Sequence, residues 1–133
     1  MVLTAFTLLF LCALTVVFGS AFAEFRDNHI YNEKWDPHAR FHCASYALTN
    51  IALGLFATTL LVLFLIYTIK PFVAVSIILI AIVDVVMLVT NLVPGVSNIA
   101  EGEKVYKNNP TSYWMTYVHL LLLVVGSCLY YFS

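Results

Sequence analysis

The chain has 133 residues, of which 62% are apolar and only 10% charged, and its formal net charge is −1. Water-soluble domains carry about 25% charged residues, so this composition predicts an integral membrane protein and excludes a soluble enzyme. The charge balance offers no basic surface for nucleic acid, and the apolar fraction is too high for a disordered chain. We therefore expect the membrane, and no nucleic acid, among the partners.

Four apolar runs are each long enough to cross a bilayer as a helix, which takes about 20 residues. The predicted spans lie near residues 3–23, 41–67, 72–93 and 112–132. These runs lack the alternating polarity of membrane β-strands. The predicted fold is therefore all-α: an integral membrane four-helix bundle that forms a single domain over residues 1–133.

The first span has a competing interpretation. Ala21-Phe22-Ala23 ahead of Glu24 resembles the small-residue cleavage site of a secretory signal. The segment has no basic n-region after Met1, however, and its apolar run is longer than the roughly 7–15 residues typical of a signal. We expect a membrane span here, with a cleaved signal as the alternative.

The connecting segments differ in length and charge. Only residues 67–71 separate the second and third spans, which predicts a tight antiparallel hairpin with Pro71 in the first turn of the third span. Loops 24–40 and 94–111 then lie together on the opposite side of the membrane. They hold five of the six basic residues, and the positive-inside bias predicts that this side is cytoplasmic.

A polar stripe marks the start of the second span. Asp36 and Pro37 predict that its helix begins before the apolar run, with Asp36 as the cap and Pro37 in the first turn. Polar residues then follow at intervals of four, on one slowly drifting face of the helix: His38, His42, Tyr46 and Asn50.

The third and fourth spans also have polar faces. The residues concerned are Ser76, Asp84 and Asn91 on the third span, and Ser112, Thr116 and His119 on the fourth. Polar groups that faced lipid would lack hydrogen-bond partners. The pattern therefore predicts an internal cavity shared by the second, third and fourth spans and open toward the long loops.

Asp84 is the strongest single candidate for function. A carboxylate at the centre of a membrane helix costs about 2.5–3.5 kcal/mol on insertion scales, so such residues usually face a partner or a water-filled cavity. We expect its partners to be His42 and His119, and we assign all three as catalytic proton-transfer residues. The alternative is a structural hydrogen bond that holds two helices together.

Further polar and aromatic residues are candidates for substrate binding: His38, Arg40, Tyr46, Asn50, Asn91 and Trp114. Arg40 suits an anionic head group, the two asparagines suit hydrogen bonding, and Trp114 suits contact with a flat apolar molecule. Anchoring at the level of the lipid head groups is the alternative for His38, Arg40 and Trp114.

We assign no metal and no cofactor from the sequence. His38 and His42 could hold one ion from a single helix face, with His119 and Asp84 completing the ligands. The His-x-x-x-His spacing is a weak signal, however, and Ala39 stands where a zinc protease motif has its acid. Haem between His42 and His119 is a further alternative.

The cysteines give no sign of redox chemistry. Cys12, Cys43 and Cys128 all fall inside predicted spans, and no Cys-x-x-Cys motif occurs. Their number is odd, which does not suggest a disulfide framework. We interpret all three as small packing residues.

Two resemblances accompany this pattern. The octapeptide from Trp35 to His42 resembles the Trp-x-Pro-His-Ala-Arg-Phe-His signature of a family of small four-helix membrane proteins that has no assigned activity. The layout of spans and loops is similar to the EXPERA group, which includes emopamil-binding sterol isomerases and lipid-binding relatives. That second resemblance implies proton transfer by a His and acids across an apolar ring system, although this chain has His42 in place of an acid.

These observations favour a membrane protein that binds a lipophilic small molecule or lipid and catalyses a cofactor-independent isomerisation or cyclisation. An accessory subunit of a larger membrane complex is the first alternative. A small proton-coupled carrier, which would have to be a homo-oligomer, is the second.

Overall fold

The structure, a computed structural model, describes residues 2–90, 92–93 and 111–132. These residues form helices α1 (Val2–Glu24), α2 (Pro37–Tyr67), α3 (Lys70–Thr90) and α4 (Thr111–Tyr131). No strand occurs in the described ranges, so the all-α prediction is confirmed. Each helix is long and apolar enough to cross a membrane, which is consistent with a multi-pass integral membrane protein.

Helix α2 begins well before its apolar run, as its capping residues predict. The Asp36 carboxylate accepts a hydrogen bond of 2.7 Å from the backbone N–H of His38, and Pro37 occupies the first helical position. At the end of α3, Leu92 and Val93 donate to carbonyls three residues back, at 2.9 and 3.1 Å. Helix α3 ends at Thr90. In the sequence Pro94 follows Val93, and a proline disfavours the helical conformation in the residue before it.

The four helices pack in chain order, each antiparallel to the next. α1 packs against α2 and α4, α2 against α3, and α3 against α4. Ser76 of α3 donates its hydroxyl to the Ala57 carbonyl of α2 at 3.1 Å and to its own helix at Phe72. That bond satisfies a fully buried hydroxyl and ties α2 to α3 across the membrane interior.

Small residues allow α1 and α2 to approach closely. A Cβ on Gly54 would lie 2.7 Å from Val17 Cγ2 and 3.1 Å from the carbonyl oxygen of Ala13. Apolar side chains of all four helices fill the core around this contact: Leu9, Cys12, Ala13, Val16, Ala57, Leu61, Val73, Ile80, Val83 and Leu123. The large apolar residues on the opposite faces are exposed and available to lipid.

The turn between α2 and α3 consists of two residues, Thr68 and Ile69. Thr68 adopts the left-handed conformation (φ 54°, ψ 27°), and its N–H donates to the Phe64 carbonyl at 2.7 Å, which closes the last turn of α2. Pro71 is the second residue of α3, where its missing N–H costs no helical hydrogen bond.

Candidate functional site

Asp84 and His119 form a buried pair between α3 and α4. The Nδ1 atom of His119 lies 2.7 Å from one carboxylate oxygen of Asp84 and 3.0 Å from the other. Asp84 is 5% exposed and His119 is 8% exposed. The other ring nitrogen, Nε2, lies 3.0 Å from the backbone carbonyl of Cys12 on α1. One imidazole therefore connects three helices near the middle of the bundle.

The Cys12 carbonyl determines how this ring is protonated. A carbonyl oxygen can only accept a hydrogen bond, so Nε2 must carry a hydrogen and donate it. The proton between Nδ1 and the carboxylate is then the one that Asp84 and His119 share. The pair has no net charge whichever group holds that proton, which suits its location inside a membrane.

A cavity of about 220 Å³ borders the pair. All four helices line it, and its polar lining comes from Thr15, Ser20, Glu24, Tyr46, Asp84, Thr116 and His119. The remaining walls are apolar, with Val16, Ala23, Val83, Met87 and Met115. The cavity thus combines an apolar wall with a few convergent polar groups, which is typical of a small-molecule site. The contribution of α1 was not predicted from the sequence.

Tyr46 and Asn50 continue the polar lining on α2. Tyr46 is half-buried beside the cavity, one helical turn before Asn50. Asn50 is buried, at 4% exposure. The inner half of the predicted stripe therefore faces the bundle.

The outer half of the stripe does not reach Asp84. His38 and His42 are exposed, and their Nε2 atoms lie 3.0 Å apart. Residues four apart are displaced by about 40° around a helix of 3.6 residues per turn, so the stripe rotates away from the interior over its length. Of the two partners predicted for Asp84, His119 makes the contact, whereas His42 contacts His38.

Two of the remaining predicted substrate-binding residues, Arg40 and Trp114, lie within the described residues. Arg40 is half-buried, and its Nε is buried without a hydrogen-bond partner among the described residues. Trp114 is 62% exposed and lines a second pocket, of about 310 Å³, whose wall includes His119. Asn91 lies outside the described residues.

A second polar cluster lies at the end of α1 and was missed in the sequence. Glu24 Oε2 is 3.1 Å from His29 Nδ1 and accepts a hydrogen bond of 2.9 Å from the Cys43 thiol. Glu24 also lines the cavity. The sequence signal for Glu24 was its position directly after an apolar run. No regular spacing relates Glu24, His29 and Cys43, so the cluster itself had no sequence signal.

No family model, curated protein or solved structure matches this chain. The resemblance of the octapeptide, and the similarity in layout to the EXPERA group, therefore stay predictions.

Proposed function

We propose that this protein binds a lipophilic small molecule in the cavity beside Asp84 and His119 and moves a proton within it. The observation that carries the proposal is the buried pair itself. A carboxyl group inside membrane-spanning helices commonly marks a functional site, and here it borders a cavity lined by all four helices.

The shape of the cavity suits part of a lipophilic molecule. Its volume of about 220 Å³ is below the roughly 300–1,000 Å³ of typical ligand sites. One ring or one polar end can therefore enter, with the remainder held between helices or in lipid. Tyr46 and Thr116 supply hydroxyl groups that can orient a polar substituent, while Val83 and Met87 contact the apolar part.

The Asp84–His119 pair can shift a double bond without a cofactor. The shared proton passes to one alkene carbon, and the Asp84 carboxylate lies beside the positive charge that develops on the neighbouring carbon. A proton from the adjacent C–H then returns to the pair, so the double bond has moved and no proton is gained or lost. The hydrogen bond from Nε2 of His119 to the Cys12 carbonyl orients the ring. Its Nδ1 then faces Asp84, with which it shares the proton in this scheme.

Native mass spectrometry of the gently solubilised protein tests the binding step. We expect one lipophilic molecule to be retained by the wild type and lost in Ser20→Leu, which fills the cavity away from the pair. Thr7→Leu is the matched control, because Thr7 is an exposed hydroxyl residue on the same helix outside the cavity. Equal retention of the molecule in both variants would show that it does not bind in this cavity.

Deuterium incorporation tests the chemistry on the retained molecule. We expect incubation in D2O to place deuterium on carbon, because the pair adds a solvent-derived proton and removes another. Asp84→Asn should reduce incorporation by about 100-fold or more, the usual contribution of general acid–base catalysis, while helical content and binding persist. Undiminished incorporation in Asp84→Asn would refute proton transfer, and a stoichiometric foreign chain without a small molecule would identify an accessory subunit instead.

A further inference from the structure

Three side chains that commonly bind metals converge where α1 ends. The ligand atoms of Glu24, His29 and Cys43 all lie within 4.8 Å of one another. Glu24 Oε2 is the common neighbour, at 3.1 Å from His29 Nδ1 and 2.9 Å from Cys43 Sγ. The three residues come from the last position of α1, the connecting loop and the second turn of α2. Tertiary structure therefore brings together a carboxylate, an imidazole and a thiol.

A small divalent ion can be accommodated after the three side chains rotate. Zinc binds nitrogen, oxygen and sulfur at roughly 2.0–2.3 Å in tetrahedral geometry, which places the ligand atoms about 3.3–3.5 Å from one another. The separations from Glu24 Oε2 are 3.1 Å to His29 Nδ1 and 2.9 Å to Cys43 Sγ, which is roughly 0.2–0.6 Å shorter than in a zinc site. All three ligand atoms lie within 4.8 Å of one another. Side-chain rotation can supply that change, because neither His29 nor Glu24 is fully enclosed.

Hydrogen-bonded turns hold the ligands in position. The backbone N–H of His29 donates to the Arg26 carbonyl at 3.0 Å, and that of Ile30 donates to the Glu24 carbonyl at 3.1 Å. The imidazole of His29 also packs against the indole of Trp35, with ring centroids 5.8 Å apart. Cys43 is fixed by α2. The geometry is thus largely formed in advance, which lowers the cost of ordering a site when an ion binds.

The ligand types point to the chemical class of the ion. Sulfur, nitrogen and oxygen together suit borderline ions such as Zn²⁺, whereas Mg²⁺ and Ca²⁺ prefer oxygen ligands alone. Three protein ligands with a fourth position open to water or a ligand are typical of catalytic zinc sites. Glu24 belongs both to this cluster and to the cavity lining, so a bound ion would lie beside the cavity.

We propose that Glu24, His29 and Cys43 bind one Zn²⁺-class ion. On binding, the Cys43 thiol loses its proton to water, and the ion replaces the hydrogen bond that joins the thiol to Glu24. This inference is independent of the proposed lipophile, because the ion can be detected without any small molecule.

Any test of this site must exclude ion binding by the exposed residues His38 and His42. Their Nε2 atoms are 3.0 Å apart, and two histidines four residues apart on a helix can hold an ion by themselves. We therefore choose His38→Ala/His42→Ala as the background for metal measurements. The purification tag must contain no histidine, and the full chain is studied in detergent.

The decisive readout is Co²⁺ absorption together with Zn²⁺ stoichiometry by elemental mass spectrometry. In the double-alanine background we expect one Zn²⁺ per chain and a thiolate-to-Co²⁺ charge-transfer band. Cys43→Ser keeps the size and hydrogen-bonding ability of the side chain but removes the soft ligand. We expect this variant to lose the band and to weaken Zn²⁺ affinity by at least ~100-fold, since even outer-shell partners contribute about 10–100-fold.

Cys128→Ser is the matched control, because Cys128 is an exposed cysteine of α4 outside the cluster. It should leave both the band and the stoichiometry unchanged. His29→Gln should weaken binding as Cys43→Ser does, with circular dichroism confirming that both variants keep their helices. A band that survives Cys43→Ser, or the absence of any bound ion in the double-alanine background, would overturn the proposal.

Discussion

Asp84–His119 and Glu24–His29 are the same chemical pair in two different surroundings. In each, a carboxylate meets the Nδ1 atom of an imidazole. The side chains of the first pair are 10% exposed for His119 and 8% for Asp84. Those of the second are 31% exposed for His29 and 17% for Glu24. The first pair lies between membrane-spanning helices, and the second lies where α1 passes into its loop.

The difference concerns which atoms remain available. In the inner pair, Nε2 of His119 is engaged by the Cys12 carbonyl and Nδ1 faces both oxygens of Asp84. That pair can hold one proton and can connect helices. In the outer cluster, Cys43 adds a sulfur ligand to the same carboxylate oxygen that His29 contacts. These differences are the reason why we propose proton transfer for the inner pair and ion binding for the outer cluster.

Removal of His119 should produce the largest loss of stability. His119→Ala leaves the Asp84 carboxyl buried without its partner, and breaking a buried pair in this way costs about 3 kcal/mol. We expect this decrease in the free energy of unfolding, measured by SDS titration in mixed micelles with circular dichroism. Asp84→Leu/His119→Leu should recover most of it, because two apolar side chains leave no unpaired group. A change below about 0.5 kcal/mol in His119→Ala, the level usual for a surface substitution, would contradict the assignment.

Loosening the close contact of α1 with α2 should have the second-largest effect on stability. Helix α1 also supplies the Cys12 carbonyl that His119 contacts and Glu24 of the outer cluster. Gly54→Ala places a methyl group 2.7 Å from Val17 Cγ2 and 3.1 Å from a backbone oxygen, which should cost about 1–2 kcal/mol. Gly19→Ala is the control on α1, since its new Cβ meets its nearest neighbour only at 3.9 Å. It should leave stability unchanged or slightly raised. Thermal unfolding in detergent compares the two, and equal effects would show that α1 is not tightly packed at Gly54.

A substitution in the turn between α2 and α3 should raise the stability of the protein, in contrast to the two preceding substitutions. Thr68 has φ 54°, a conformation that costs a β-branched residue roughly 1–2 kcal/mol relative to glycine. Thr68→Gly removes that strain but also the hydroxyl contact with the Tyr67 carbonyl, so we expect a net gain of about 1 kcal/mol. The melting temperature measures it, with Thr59→Gly as a control in the interior of α2 that should be destabilising.

The smallest effect on stability is expected at the outer cluster. Glu24→Gln keeps the size and one acceptor oxygen of the side chain, and partly exposed pairs contribute about 0–1 kcal/mol. Unfolding should therefore change by about 0.5 kcal/mol or less, whereas Zn²⁺ affinity should fall sharply. Asp84→Asn should leave the affinity for Zn²⁺ unchanged, so the two substitutions separate the inner pair from the outer cluster. Isothermal titration calorimetry on both variants provides the comparison.

Part of the site was predictable from the sequence because its signals are local. Asp84 stands out as an acid in an apolar run, and His119 lies at a depth that matches it. The predicted contact between His42 and Asp84 required knowing which face of α2 points into the bundle at His42, which the spacing alone does not determine. Cys43 was interpreted as a packing residue because it lies in a predicted span and belongs to no Cys-x-x-Cys motif. Its contact with Glu24 could not be predicted, because Glu24 is far away in sequence and belongs to a different helix.

The sequence by itself determined the four helices, the early start of α2 at Asp36 and the tight hairpin at Thr68 and Ile69. Each of these depends on hydropathy, capping or chain length within a few neighbouring residues. Only the tertiary structure decided that His119 and not His42 contacts Asp84, that the same imidazole reaches the Cys12 carbonyl, and that the Glu24 cluster forms. Such contacts depend on the rotation and relative height of packed helices, and close-packed side chains from distant segments set both.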